Sequence, residues 1–166
     1  LSGSNKWAQK NLKEAASIRG ISSDRIVFAQ NLPQADHLAR IQLADLFLDT
    51  FNYNAGATAT DALWSGLPLI TKIGQGYTAR MAGSILSAIG LSELIVTKEA
   101  QYEELALRLA TIPGELIQIR KKLAANRLAT PLFDTELSTK HLENGYSQAY
   151  KLYFEGKSPD RIYVSE

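Results

Sequence analysis

Apolar positions along the chain switch repeatedly between helical spacing and short unbroken runs. From Asn5 to Arg19, Ala8, Leu12, Ala15 and Ala16 fall on one stripe, with Lys6, Lys10 and Lys13 largely off it, which predicts a helix. Gly20 ends it, Ser22-Ser23-Asp24 is a turn, and Arg25-Ile26-Val27-Phe28 reads as a short strand. After a loop from Ala29 to Pro33, a second helix starts near Gln34 and carries His37, Leu38, Ile41, Leu43 and Ala44. Leu46 to Asp49 is apolar up to its end, as strands buried on both faces are. A helix from about Ala57 to Ser65 is expected next, then a strand from Leu67 to Thr71 with Pro68 at its edge. Past Gly74-Gln75-Gly76, a helix from Tyr77 to Ile89 is closed by Gly90, and Leu94-Ile95-Val96 is a last short strand.

Three helices complete the pattern. Ala100 to Thr111 aligns Tyr102, Leu105, Ala106 and Leu109. The next opens on Pro113, a residue suited to a first helical turn, and runs to about Arg127, before the break at Thr130-Pro131. Asp134 to Phe154 puts Leu142, Tyr146, Ala149, Tyr150 and Tyr153 on one face. That tyrosine stripe is read as packing, against a domain outside the chain, and Trp7 and Trp64 as core. The polar run 156–166 is expected to be a loose tail. Strands alternating with helices at these spacings predict an α/β fold with a parallel sheet covered on both faces. In such folds ligands sit beyond the carboxyl ends of the strands, where the loops Ala29–Gln34, Thr50–Ala57 and Lys72–Gly76 are expected.

Size and charge narrow the picture a little. A chain of 166 residues, 45% hydrophobic and 21% charged, suits one globular domain. A net charge of +1 gives no electrostatic case for nucleic acid or a membrane surface. The absence of cysteine excludes disulfides and thiolate metal sites, and two histidines make a His-rich metal centre a poor reading. No apolar run is long enough to span a bilayer, and cytoplasmic residence is the expectation. The opening Leu1-Ser2-Gly3-Ser4 reads as the end of a strand entering a loop, as in a piece of a larger protein.

The candidate chemistry lies in Asn52 to Trp64. Gly56 and Ala57 permit close approach to the backbone, and Thr58 and Thr60 set hydroxyls beside the free N–H groups of a first helical turn. Such a start suits a phosphate, and Asp61, a turn later, suits sugar hydroxyls. The same spacing equally suits an ordinary strand-to-helix turn capped by Thr. His37 and Arg40, three residues apart on one helix face, either meet a base or are surface groups. Gly74-Gln75-Gly76 resembles a phosphate-cradling turn but reads rather as a tight turn, and Arg80, in the first turn of the next helix, is a cation opposed to its dipole, suited to an anionic partner that is either a ligand or a nearby carboxylate. No Ser-His-Asp order, paired carboxylates or metal-ligand cluster marks a catalytic centre within the chain.

Several segments together resemble the carboxyl-terminal catalytic lobe of the O-linked N-acetylglucosamine (O-GlcNAc) transferases, including TPR-containing bacterial and SPINDLY-like proteins. They are Arg25–Phe28, His37–Asp45, Leu48-Asp49-Thr50, Asp61–Pro68, Ala79–Ala82 and Pro131–Asp134, in order, from about Ser22 to about Tyr153. The resemblance implies a Rossmann-like three-layer parallel sheet, the second lobe of a GT-B glycosyltransferase, with a long C-terminal helix. Residues 1–155 would be the nucleotide-sugar-binding lobe, its first strand mostly lost, and 156–166 a tail.

By the same resemblance, His37 packs on uracil, Arg40 and the backbone near Leu32 help hold the base, and Gln34 stands where the family often has a ribose-side Lys. Asp61 holds ribose hydroxyls, and Gly56-Ala57-Thr58 meets the diphosphate. The family's His-Thr-Thr has here become Gly-Ala-Thr, so two side-chain contacts are lost. The implied donor is UDP-GlcNAc or a related UDP-sugar, with no metal or other cofactor. The implied partners are an upstream lobe, TPR repeats and a protein acceptor reached through that lobe. Catalytic residues are expected upstream, leaving the isolated chain inactive. Another GT-B UDP-sugar enzyme and a degenerate, non-catalytic nucleotide- or partner-binding module are the alternatives.

Overall fold

The protein is described by a computed structural model, which describes residues 5–164. The opening Leu1–Ser4, on which the expectation of a truncated strand rests, lies outside the described residues. The chain divides between Arg40 and Ile41 into two compact units.

In the first unit, α1 spans Lys6–Ile18, its N-cap Asn5 accepting the Ala8 N–H at 3.0 Å. Gly20, at φ 74°, closes it in the left-handed conformation. The expected apolar stripe is engaged only at Ala16; Leu12 and Trp7 are exposed, Trp7 to 76%, so Trp7 is not core. The expected strand Arg25–Phe28 does not form. The Ser22 hydroxyl accepts the Asp24 N–H and starts a 3-10 turn over Ser23–Arg25, which curls the chain, and Val27 stands exposed. The second helix, α2 (Gln34–Ile41), starts as predicted but ends before Leu43, which is 85% exposed.

The second unit holds a three-stranded parallel sheet in the order β1 (Phe47–Leu48), β2 (Leu69–Lys72), β3 (Ile95–Val96). Phe47 pairs with Leu69 and Thr71 with Ile95. The central strand is buried on both faces over Leu69, Ile70 and Thr71, as its apolar sequence requires. The edge strand departs from expectation, because Leu48 is exposed. Each crossover carries a helix: α3 (Ala57–Trp64), then α4 (Met81–Ala88), then α5 (Glu99–Thr111) after β3. The predicted helix start at Tyr77 is instead a 3-10 turn, Thr78–Arg80, and Leu94 ends another 3-10 turn, Ser92–Leu94.

The core lies between these layers. Leu63 from α3, Leu69 and Ile70 from β2, Leu86 from α4, Leu105 and Leu109 from α5, and Leu123 from α6 (Pro113–Asn126) form one cluster. Each such side chain contributes roughly 1.5–3 kcal/mol when fully buried. Trp64 is not core; it is 46% exposed, edge-on to Phe133 at 5.1 Å, with the Arg127 guanidinium 5.6 Å from its ring.

The last helix, α7 (Thr135–Phe154), is capped by Asp134, whose carboxylate accepts the Leu137 N–H at 2.8 Å. Its tyrosine stripe is not packed among the described residues: Leu142, Tyr146, Tyr150 and Tyr153 are all more than half exposed. Residues 157–164 take no regular structure, yet Val164 approaches the α7 backbone at Gly145, so the described part of the tail turns back along the helix.

Candidate functional site

The segment joining β1 to α3 is organised by Asp49, the residue where the apolar run ends. Asp49 is 5% exposed. One carboxylate oxygen accepts the Thr50 and Ala55 N–H groups, both at 2.8 Å, and the other accepts the Thr71 hydroxyl at 2.7 Å. Hydrogen bonds to a charged group contribute about 1.5–3 kcal/mol each, so this side chain fixes both ends of the loop to the sheet. Tyr102 of α5 donates its hydroxyl to the Asp49 main-chain oxygen at 2.9 Å and meets Phe51 edge-on at 5.0 Å. Burial first, and the Asp49 charge second, push the Tyr102 phenol up to about 12. Lys72 sits over Phe51 at 4.4 Å while pairing with Glu99 at 2.9 Å.

The far side of the loop is tied to the start of α4. The Asn54 N–H donates to the Thr78 carbonyl at 2.9 Å, and the Thr78 hydroxyl to the Asn52 carbonyl at 3.2 Å. Asn54 is 1% exposed, and its amide nitrogen donates to the Thr50 carbonyl at 2.7 Å. That bond fixes the amide orientation, because a flipped Asn would set oxygen against oxygen. Its Oδ1 is then a buried acceptor with no partner among the described residues. Asn54, Thr50, Tyr53, Gly56 and Thr58 border a cavity of about 260 Å³ at this loop.

Gly56 is the N-cap of α3 and brings no side-chain cap. Its carbonyl accepts the Ala59 and Thr60 N–H groups at 2.9 and 3.1 Å. The N–H groups of Gly56, Ala57 and Thr58 meet no acceptor among the described residues, and neither does the Thr58 hydroxyl. The Thr60 hydroxyl is otherwise engaged, donating to the Ala57 carbonyl at 2.8 Å, so it does not join Thr58 as expected. At the opposite end of α3, Arg127 donates to the Trp64 carbonyl at 2.8 Å. The helix thus has a cation on its negative end and open N–H donors on its positive end, an arrangement suited to an anion. Asp61 is partly buried, one turn in.

In the first unit, Arg40 is not merely solvated. Its guanidinium donates to the Gln30 carbonyl at 2.7 Å and to the His37 ring at Nδ1, 3.0 Å away. A guanidinium only donates, so with that bond made the neutral His37 ring carries its proton on Nε2. Both side chains are partly buried, while Leu32 and Gln34 are exposed on the loop and first turn before them. Leu32, Gln34, His37 and Arg40 therefore share one loop–helix element, and Gly56, Ala57, Thr58 and Asp61 another. Asp49, Asn54, Thr71 and Tyr102 were not singled out from the sequence as site residues; the one signal was an Asp closing an apolar run. No group of three His, Asp or Glu placed to hold a metal ion occurs among the described residues. No described helix is long and apolar enough to cross a membrane.

Known proteins carry the same elements. Residues 5–142 match the glycosyl transferase family 41 profile. The chain is 38% identical over 152 residues to the probable UDP-N-acetylglucosamine–peptide N-acetylglucosaminyltransferase SEC of Arabidopsis thaliana, covering 91% of this chain and 16% of that protein. It is 32% identical over 154 residues to the UDP-N-acetylglucosamine–peptide N-acetylglucosaminyltransferase of Caenorhabditis elegans, covering 93% of this chain and 13% of that one. A solved structure of a mutant O-GlcNAc transferase of Thermobaculum terrenum superposes with a TM-score of 0.80 at 29% identity, over 87% of this chain and 28% of that chain. The chain thus spans about a sixth or less of these two relatives' length. The profile match, the sequence relatives and the superposed fold agree with the loop and helix order described above, and the chain belongs to glycosyl transferase family 41.

Proposed function

We propose that the protein to which this chain belongs transfers a sugar from a UDP-sugar, UDP-GlcNAc or a close relative, to Ser or Thr of a protein acceptor, inverting the anomeric centre. This chain supplies the donor-binding lobe. The observation that carries the reading is the row of N–H donors at Gly56, Ala57 and Thr58, held by the buried Asp49 carboxylate at a helix start whose far end is neutralised by Arg127. Such fixed dipoles stabilise charge as it develops on the departing diphosphate, and they need no reorganisation at the moment of reaction. His37 and Arg40 hold the uracil, with the Leu32 backbone and Gln34 beside them, and Asp61 accepts from the ribose hydroxyls. This scheme calls on no metal. An upstream lobe supplies the catalytic groups and the acceptor site, TPR repeats precede it, and the reaction is cytoplasmic.

The names of the relatives support the donor and the acceptor class. A second reading has its own support. Gly56 and Ala57 offer no side-chain hydrogen bond, so a lobe that binds nucleotide without turnover fits the same geometry. Calorimetry of the intact protein with UDP, UDP-GlcNAc, UDP-glucose and GDP-mannose, followed by sugar transfer to a Ser/Thr-rich protein acceptor, separates the two. Saturable UDP binding with transfer supports the enzyme; UDP binding without transfer of any sugar supports the module. No heat with any uridine nucleotide at millimolar concentration excludes both.

A further inference from the structure

Arg80 is a cation that the loop–helix scheme above leaves without a task. It is exposed, it ends the 3-10 turn Thr78–Arg80, and it is the N-cap of α4. A positive side chain there opposes the helix dipole, at a small cost when exposed, and an anion beside it would relieve that cost. Several other cations of the same unit have partners, although Lys121, Lys140, Lys151 and Arg161 make none among the described residues. Lys72 pairs with Glu99, Arg108 with Glu115, Arg120 with Asp45 and Lys122 with Glu93, and Arg127 covers the end of α3. Arg80 makes no ion pair or side-chain hydrogen bond among the described residues.

Its position indicates where the anion sits. The turn that carries Arg80 is bonded to the β1–α3 loop through Asn54 and Thr78. The next residue, Met81, packs against Gly56: a Cβ on that glycine would lie 3.6 Å from the Met81 side chain. The Arg80 backbone is therefore within roughly 10 Å of Gly56, a span that an extended arginine and a diphosphate together cover. The same loop borders a cavity of about 260 Å³ that Gly56 and Thr58 help to line.

We infer that Arg80 is a binding residue for the diphosphate of the donor, acting with the Gly56–Thr58 N–H groups. It provides the charge that Gly56 and Ala57, having no polar side chains, do not. The inference rests on the donor-site reading above. A guanidinium suits this role because it forms two parallel N–H···O bonds to a phosphate and keeps its charge.

The test is nucleotide binding by the intact protein and its Arg80→Ala, Arg80→Gln and Arg80→Lys variants, with uridine, UMP and UDP as probes at two salt concentrations. Arg80→Ala and Arg80→Gln should weaken UDP roughly 10- to 100-fold and leave uridine unchanged. Arg80→Lys should fall between them and the parent, and the salt dependence of UDP binding should shrink only where the charge is gone. UDP bound equally well by parent and Arg80→Ala overturns the inference while leaving the donor-site reading intact. Uridine and UDP weakened by the same factor also overturns it, by indicating a structural effect. A parent that binds uridine nucleotides at no concentration removes both.

Discussion

The two crossovers that flank β2 begin alike and end differently. Each leaves a strand, passes through a glycine-containing loop and enters an eight-residue helix. The β1–α3 crossover is held from outside itself: Asp49, Thr71 and Tyr102 anchor its loop, and its first-turn N–H groups are left open. The β2–α4 crossover, apart from its Thr78 bonds to Asn52 and Asn54, closes on itself. Gly74 N–H donates to the Ala79 carbonyl at 2.8 Å, Ala79 N–H to the Gly76 carbonyl at 3.2 Å and Arg80 N–H to the Tyr77 carbonyl at 3.1 Å, so the donors of the turn leading into α4 are engaged within it. The Gly-Gln-Gly segment is thus a tight turn, while the loop with fewer glycines leads to the open donors at Gly56, Ala57 and Thr58. A loop braced by side chains elsewhere can leave its backbone groups for a ligand; a loop braced by its own backbone cannot.

The largest effect should come from removing the external brace. Asp49→Ala strands the Thr50 and Ala55 N–H groups and the buried Thr71 hydroxyl, and should lower unfolding stability by about 3 kcal/mol in urea titration. Next comes the self-closed turn. A methyl on Gly74 would lie 2.7 Å from the Ala79 Cβ, so Gly74→Ala should cost roughly 1–3 kcal/mol by the same measurement.

Tyr102→Phe removes one hydrogen bond to the brace and should cost about 1 kcal/mol at neutral pH. It should also change the alkaline limb. The folded-state value of Tyr102 is raised to about 12 from 10.0, so its contribution is complete below pH 10 and is lost as pH climbs towards 12. The difference in stability between the parent and Tyr102→Phe should shrink across that window. The smallest effect is Gly56→Ala. Its Cβ meets Met81 at ordinary contact distance, so stability should stay within about 0.5 kcal/mol, in contrast with Gly74→Ala.

The sequence made the alternation of elements readable because burial imposes periodicity. The unbroken run through Leu69 and Ile70 marks a strand covered on both faces, and Tyr102, Leu105, Ala106 and Leu109 mark the inner face of α5. Asp134 signalled a helix start because its side chain reaches only to the first turn. Arg25–Phe28 misled because its β-branched content says strand while the Ser22 cap says turn, and the local bond prevailed. The tyrosine stripe of α7 has a core-like period, yet period fixes a face and not what lies against it.

In the candidate site, Gly56, Thr58 and the helix start were legible from small residues ahead of a helix. The roles of Asp49 and Asn54 were not. Their bonds run from side chain to loop backbone, across spacings of one, four and six residues, with no repeating pattern to find.

The central claim is that the α3 N-terminus receives the negative end of a nucleotide. Backbone amide NMR of the intact protein during titration with UDP, with uridine as control, tests it most directly. The account predicts saturable shifts at the Gly56, Ala57 and Thr58 amides with UDP and little change there with uridine. Amides at these three positions that stay unmoved when UDP is bound at saturation would contradict it.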